Sequence, residues 1–273
     1  MTITRSATSA APVPPREGRM WDRAFWLWLV NYRRVWRGTI ISGLLSPLFF
    51  LTAMGFGLGA LVDDGAAGGI DGMSYVAFVA PGILAAQAMQ TAVGESTFPV
   101  VGAMKWNRQY HAMIATPLGI TDVVVGHLAF VMMRVAITTT AFLGVTLALG
   151  AFESWWVLLA WPVAVLTGLA FAAPVFAFAA RQENDSGFNV LFRFVVMPMF
   201  LFSGTFFPIE QLPTVLEWVA RATPLWHAVD LCRGLATETA TLLGGLGHVA
   251  YLLLWVILGF RLALRSFRRR LIT

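Results

Sequence analysis

The chain has 273 residues, of which 58% are hydrophobic and 12% are charged, and its mean hydropathy is +0.72. A soluble domain of average composition carries about 25% charged residues, so these figures exclude an ordinary water-soluble enzyme. The net charge of +5 does not indicate nucleic-acid binding, because the basic residues lie beside apolar runs and not in a patch interleaved with aromatic residues.

The first segment of the chain, residues 1–19, is rich in Thr, Ser, Ala and Pro and is predicted to be a disordered cytoplasmic tail. Residues 20–38 are different, because aromatic side chains cluster on one face of a helix and charged side chains on the other. This pattern favours an amphipathic helix that lies in the membrane interface. An ordinary start of the first membrane span remains the alternative.

Six apolar runs follow, each long enough to cross a bilayer. They cover approximately residues 39–61, 75–94, 122–150, 155–180, 189–207 and 241–261. Six spans place both termini on the same side of the membrane, and 15 of the 19 Lys and Arg residues fall on that side, against two on the other. The positive-inside rule therefore predicts cytoplasmic termini, and residues 20–273 are predicted to form one all-α polytopic membrane domain.

Polar residues inside two spans are candidates for a translocation path. Gln87, Gln90 and Thr91 fall on one stripe of the second span, where lipid cannot satisfy their side chains. Interhelical packing and contact with a substrate both explain this stripe. Arg134 lies so deep in the third span that it should face an interior partner or a cavity.

A second charged pair is predicted to be structural. Glu95, at the end of the second span, and Arg193, near the start of the fifth, have similar predicted depths and can form an ion pair. The single cysteine, Cys232, has no neighbours with metal-ligand spacing, so no metal site is predicted.

The longest cytoplasmic connection, residues 95–121, mixes basic and aromatic residues that can anchor a cytosolic partner. These candidates are Lys105, Trp106, Arg108, Tyr110 and His111. A solvated connector is the alternative. Lys105 is the only lysine and Trp106 follows it, so the printed sequence has no phosphate-binding G-x-x-x-x-G-K-[ST] loop. If ATP drives this protein, a second polypeptide must bind it.

Residues 203–239 are apolar but interrupted by glycine and proline, which leaves pieces too short to span the membrane. We interpret these pieces as short extracellular re-entrant helices between the fifth and sixth spans, or alternatively as an amphipathic cap. If they gate an exit path, the candidate gate residues are Phe206, Phe207, Trp226 and His227.

Several long motifs occur in a recognisable order. Residues 202–213 and 224–233 resemble the C-terminal signature of type-2 ABC transporter permeases. Residues 80–97 and 110–118 resemble the nodulation protein J branch of that family. The resemblance covers nearly all of residues 21–270.

The resemblance implies six spans, an interfacial connector helix, a cytoplasmic coupling helix between spans two and three, and paired extracellular helices between spans five and six. It further implies a homodimer of permease chains in a bacterial plasma membrane, with two cytosolic ATPase subunits that carry ATP and Mg²⁺. This chain itself would have no catalytic residues and no cofactor. The expected cargo is an amphiphile such as a lipid-linked saccharide or lipooligosaccharide. Efflux of drugs or hydrophobic antibiotics is the main alternative, and a passive channel or a membrane-embedded enzyme are the weaker ones.

Overall fold

The fold is taken from a computed structural model of the chain. It describes residues 20–34, 36–38, 73–152, 154–184 and 186–272, with isolated positions between 45 and 70. The predicted tail, residues 1–19, and most of the predicted first span, residues 39–61, lie outside the described residues. The described part is helical and contains no strand.

Ten α-helices organise the described residues. They are α1 (Trp21–Tyr32), α2 (Tyr75–Ser96), α3 (Gln109–Ile114), α4 (Ile120–Ala148), α5 (Ala160–Ala179), α6 (Ser186–Leu191), α7 (Met197–Phe202), α8 (Thr214–Arg221), α9 (Pro224–Ala236) and α10 (Leu242–Leu271). A short helix, Phe98–Val101, and a π-helical turn, Gly102–Trp106, continue α2, and a second π-helical turn, Phe192–Val196, joins α6 to α7. The 3₁₀ turns Trp155–Leu159 and Ile209–Gln211 precede α5 and α8.

Four described helical segments are long and apolar enough to cross a membrane: Tyr75–Trp106, Ile120–Ala148, Trp155–Ala179 and Leu242–Leu271. The apolar segment Ser186–Phe202, in the region of the predicted fifth span, is shorter. These helices confirm an all-α polytopic membrane protein.

Close approach of small residues explains how the long helices pack. Helix α5 lies at the centre and contacts α2, α4, α9 and α10. At its contact with α10, a Cβ added at Gly259 would lie 2.5 Å from Cδ of Pro174. At its contact with α4, a Cβ at Gly168 would lie 2.8 Å from Val135. In a bilayer, helices associate through such van der Waals contacts, because the lipid is as apolar as the side chains.

The bundle has two ends with different contents. The basic end holds residues 97–119, residues 180–184 and the last turns of α10 with Arg268, Arg269 and Arg270. The opposite end holds residues 149–152, 154–159 and 203–241 and the first turn of α10. Helix α1 packs on α4 near the basic end, where the Met20 amide donates to the Asp122 carboxylate at 3.0 Å. The same carboxylate accepts from the Gly119 amide at 3.0 Å and so caps α4.

Candidate functional site

The connection between α2 and α4 presents three of the five predicted docking residues at the surface of the basic end. Trp106 is 67% exposed at the end of the π-helical turn, and Arg108 and His111 are also exposed. Arg108 has a positive φ of 48°, which ends the turn and redirects the chain into α3. A large aromatic side chain, a guanidinium and an imidazole thus lie together on one short exposed segment.

Lys105, the fourth predicted docking residue, is half-buried and engaged within the chain. Its ammonium group donates a hydrogen bond to the main-chain carbonyl of Glu183. The Glu183 carboxylate in turn pairs with Arg270 at 3.1 Å. Lys105 therefore joins the connection between α2 and α4 to residues 180–184 and, through Glu183, to α10.

Tyr110, the fifth predicted docking residue, does not contribute to this surface, which corrects the sequence-based prediction. Its side chain is fully buried, and its hydroxyl lies 2.5 Å from Nδ1 of His127 in α4. Burial raises the pKa of the Tyr110 phenol well above 10, so the hydroxyl stays protonated. The π-helical turn and the left-handed Arg108 set the helical phase of α3, so that Tyr110 faces inward while the adjacent His111 faces outward.

Around Tyr110, the structure brings together aromatic residues that the sequence analysis did not single out. Trp28 of α1 stacks on His127 with ring centroids 3.8 Å apart and an interplanar angle of 11°. Phe267 of α10 contacts the Tyr110 ring edge-on at 5.2 Å. We call Trp28, Tyr110, His127 and Phe267 the aromatic cluster. It connects α3 to α1, α4 and α10.

Arg134 lies inside the bundle, as expected from its depth, but its partner differs from the predicted one. Its guanidinium pairs with the Glu95 carboxylate at 2.9 Å and lies 4.7 Å from the ring centroid of Tyr32. Arg193, the predicted partner of Glu95, is instead exposed on the second π-helical turn. The predicted Glu95–Arg193 pair was wrong.

The length of the second helical segment explains this error. The predicted span ended at residue 94, whereas the helix continues to Trp106, eleven residues beyond Glu95. At 1.5 Å per residue, Glu95 therefore lies roughly 16 Å from the basic end of that segment. Arg134 lies fourteen residues into α4, which corresponds to roughly 21 Å. The two charges thus meet at a similar depth.

The polar stripe of α2 is partly engaged inside the chain and partly at its surface. The Gln87 amide donates to the Thr91 hydroxyl at 3.3 Å, and Thr91 lies 3.4 Å from the Thr138 hydroxyl of α4. Gln90 is exposed on the surface of this single chain. An amide in the hydrocarbon region needs a protein or water partner, so this surface requires a cover.

The candidate gate residues at the opposite end do not form one cluster. The Phe206 ring contacts Phe200 at 5.0 Å, and its carbonyl accepts from the Tyr75 hydroxyl at 3.3 Å. Phe207 is half-buried in the adjoining turn. The guanidinium of Arg221 lies 5.6 Å from the ring centroid of Trp226.

His227, the fourth gate candidate, belongs to a polar group between α9 and α10. Its ring stacks on Tyr251 at 3.9 Å, and its Nδ1 lies 2.8 Å from Nδ1 of His248. His248 reaches Asp230 at 3.2 Å through Nε2. This hydrogen bond from His248 lowers the pKa of the Asp230 carboxyl. Among the described residues, no group of three or more His, Cys, Asp or Glu side chains is arranged to hold a metal ion.

An arginine of α9 connects α2 to the turn at residues 203–208. Arg233 of α9 donates from Nε to the Phe78 carbonyl at 3.2 Å and from Nη2 to the Gly204 carbonyl at 2.6 Å. Pro81, inside α2, has no amide hydrogen, which weakens the helical hydrogen bonding in this turn. Gly204 has a positive φ of 82°, which lets the 203–208 turn approach α2.

Comparisons with known proteins agree on one family. The family described as ABC-2 type transporter matches residues 20–236. Nodulation protein J of Rhizobium leguminosarum bv. viciae is 33% identical over 257 residues, covering 89% of this chain and 95% of the relative. Nodulation protein J of Bradyrhizobium diazoefficiens is 32% identical over 96% of this chain and 98% of the relative. The inner membrane transport permease YadH of Escherichia coli is 19% identical over 73% and 76%.

Proposed function

Because the chain belongs to the ABC-2 type transporter family, we propose that it is the permease subunit of an ATP-driven exporter of amphiphiles. Members of this family are membrane components of transporters, not enzymes themselves, and they normally pair with a cytosolic ATPase subunit. The proposed cargo is a lipid-linked saccharide, a lipooligosaccharide or a similar amphiphile. The names of the relatives, nodulation protein J and inner membrane transport permease, support this direction.

The exposed surface of Trp106, Arg108 and His111 is the observation that carries the proposal. An exposed tryptophan beside an arginine is typical of the anchor residues in protein interfaces. The segment connects two membrane-spanning helices directly, so a partner bound here would act on both. We assign it as the docking surface for the ATPase.

The aromatic cluster supplies the mechanical connection behind that surface. Tyr110 lies on the inner face of α3 and contacts α4 and α10, and Trp28 of α1 stacks on His127 of α4. When ATP closes a dimer of ATPase subunits, the two docking segments are displaced together. The cluster passes this displacement to α1, α4 and α10 because its rings are packed in contact. The spans then tilt and expose the cargo to the other side of the membrane.

The proposed assembly contains two permease chains and two ATPase subunits. Gln90 supports a second permease chain, because it lies on a spanning helix and needs a polar cover that the described residues of this chain do not supply. The concentration of arginines at the basic end supports a cytoplasmic location of that end in a bacterial inner membrane. ATP and Mg²⁺ bind to the partner subunit.

A pull-down from the native membrane tests the proposal. The detergent-solubilised chain should copurify with a P-loop ATPase in a 1:1 ratio. Trp106→Glu combined with Arg108→Glu should remove the ATPase from the complex. Trp155→Glu is the matched control, because Trp155 is 81% exposed but lies at the opposite end, and this variant should retain the ATPase.

Three outcomes would contradict parts of this proposal. A chain that is recovered alone under gentle solubilisation, without ATPase activity, would reopen the passive-channel and membrane-enzyme alternatives. Loss of the ATPase from the Trp155→Glu control as well would remove the docking assignment. Hydrolysis stimulated by a hydrophobic drug, and not by a lipooligosaccharide, would replace the proposed cargo with a drug.

A further inference from the structure

Two cavities adjoin at the opposite end of the bundle, on either side of the connection between α9 and α10. One has a volume of about 460 Å³ and the other of about 570 Å³. Both lie within the range of roughly 300–1,000 Å³ that is typical of small-molecule sites. The two cavities are neighbours, because five residues line both of them. These residues are Leu231, Gly234, Ala240, Thr241 and Gly245.

The smaller of these cavities, which we call the head chamber, is lined by polar side chains. They are Asp230, Arg233, Thr237, Thr239, Thr241 and His248. Hydroxyl groups both donate and accept hydrogen bonds, and the three threonines therefore suit a ligand that carries hydroxyl groups.

The charges of the head chamber favour an uncharged ligand head. Asp230 supplies one negative charge and Arg233 one positive charge, three residues apart on the same helix. Each is engaged at close range, Asp230 with His248 at 3.2 Å and Arg233 with the Gly204 carbonyl at 2.6 Å. Among the described residues that line this chamber, a phosphate or another strong anion would meet no excess of positive charge.

The larger cavity, which we call the tail chamber, is mainly apolar. Its apolar lining includes Leu159, Val163, Leu235, Leu242, Leu246 and Val249. Leu242 is 82% exposed and Leu246 is 58% exposed on the surface of the membrane-spanning α10. The chamber therefore opens on an exposed apolar surface of α10.

We propose that the head and tail chambers together bind one amphiphile with an uncharged, hydroxyl-rich head and an aliphatic chain. The head lies among Asp230, His248 and the threonines, and the chain extends along α10 towards the lipid. This inference rests on the proposed function and places a cargo site within one chain, at the end where the cargo would leave. A saccharide-bearing lipid fits this chemistry better than a phospholipid does.

Photo-crosslinking of the full chain in nanodiscs, together with any ATPase that copurifies, tests the site. The probe is an alkyl glucoside with a diazirine in its chain, and the labelled peptides are mapped by mass spectrometry. Labelling should concentrate in residues 156–163 and 235–249. Octyl glucoside should compete with this labelling, whereas octyl phosphate and octanol should compete at least about tenfold more weakly. Binding weakens by this much when the head of the ligand cannot make the hydrogen bonds that a polar site offers.

Substitutions separate the tail chamber from the general surface of α10. Leu246→Trp fills the chamber and should lower the labelling by about tenfold, which corresponds to about 1.4 kcal/mol of binding free energy. Leu254→Trp is the matched control: Leu254 is 50% exposed on the same helix but lines neither chamber, so labelling should stay at the wild-type level. If Leu246→Trp does not fold, Asp230→Asn tests the head chamber instead. This variant leaves a positive charge in excess, so octyl phosphate should become the better competitor.

Two results would overturn the proposal. One is equal labelling of all lipid-facing helices without competition, which would show partition into lipid only. The other is competition by octyl phosphate as strong as by octyl glucoside in the wild type, which would show that the head chamber does not select uncharged heads. Neither result affects copurification with an ATPase, so failure of this site and failure of the permease assignment are distinguishable.

Discussion

The basic end and the opposite end of this bundle differ in how they accommodate polar and charged side chains. Near the basic end, Asp122, Tyr110 and His127 are buried and hydrogen-bonded to residues distant in the chain. At the opposite end, charged side chains stay near the surface, and the packing leaves two neighbouring cavities. In the exporter proposed above, the end that binds the ATPase would move as a unit while the other end makes room for cargo.

Two ion pairs show a related contrast, between the interior of the bundle and the opposite end. The Glu95–Arg134 pair lies within the bundle, with side-chain exposures of 22% and 9%. The Glu217–Arg221 pair lies at the opposite end, with exposures of 25% and 41%, and its residues are four apart on one helix. Breaking a buried pair leaves an uncompensated charge away from water, whereas solvent replaces much of an exposed pair.

The largest predicted effect comes from breaking the buried pair. Arg134→Leu should destabilise the protein by about 3–5 kcal/mol, because Glu95 then stays in the bundle without its cation. Arg221→Leu, the control at the opposite end, should cost about 1 kcal/mol or less. The measurement is the free energy of unfolding in mixed micelles during a titration with a denaturing detergent. The double variant Glu95→Gln with Arg134→Leu should recover part of the loss, and equal effects of both Arg→Leu variants would contradict the contrast.

A smaller effect is expected where α1 crosses α4. A Cβ at position 126 would lie 2.5 Å from Ala24 Cβ and 2.7 Å from the Trp21 carbonyl oxygen, so Gly126→Val should force the helices apart and cost about 1–3 kcal/mol. Gly144→Val, on the same helix, is the control, because among the described residues no atom outside the adjoining turns of α4 lies within 4 Å of its added Cβ. Limited proteolysis between residues 20 and 38 should accelerate in Gly126→Val only. Unchanged proteolysis would show that the contact is not needed to hold α1.

The sequence predicted the long helices and the interior position of Arg134 well, because both depend on local signals. Twenty or more apolar residues are visible in any window, and an arginine among them needs an interior partner wherever it lies. The partner was not predictable from apparent depth, because the helical segment continues past Ser96 as far as Trp106. The end of an apolar run in the sequence does not show where the helix ends, because the helix can continue through polar residues.

The aromatic cluster was missed for a different reason. Trp28 and His127 are 99 positions apart, and no pattern in a single sequence pairs residues at that distance. Tyr110 was assigned to the docking surface because in the sequence it lies between Arg108 and His111, both of which are exposed. Its orientation depends on a π-helical turn, which changes the helical phase and has no sequence signature as clear as a proline or a glycine. The connection between α2 and α4 was predictable as a segment, but which of its side chains face inward and which face outward was not.

The hydrogen bond of Tyr110 offers a third test of the two ends. Tyr110→Phe removes the hydroxyl 2.5 Å from His127 and leaves a buried imidazole nitrogen unpaired, so we expect a loss of about 1–3 kcal/mol. Tyr251→Phe is the matched control, because its hydroxyl donates to the Ala222 carbonyl at 2.6 Å at the opposite end, where water can replace it. The same detergent titration measures both losses. An equal or larger loss in Tyr251→Phe would refute the contrast between the ends.

The smallest predicted effect is a dependence of stability on pH that originates at the opposite end. Burial, with the neighbouring His248 as a second cause, lowers the pKa of His227 from 6.5 to about 4. Between these two values the unfolded chain binds a proton at this residue more readily than the folded chain, so stability should fall as the pH falls from 6.5 to about 4. His227 is half-buried, and solvent screening keeps this loss small.

Replacing the imidazole isolates this contribution. His227→Phe keeps a ring to stack on Tyr251 but cannot bind a proton, so thermal unfolding measured between pH 7 and pH 4 should show a shallower slope than in the wild type. Tyr251→Phe keeps the imidazole and should keep the wild-type slope. The pKa of the Asp230 carboxyl is lowered, so this group loses its stabilising charge only at still lower pH. Asp230 therefore does not contribute to the slope measured between pH 7 and pH 4. An unchanged slope in His227→Phe would mean that the pH dependence of stability comes from another group.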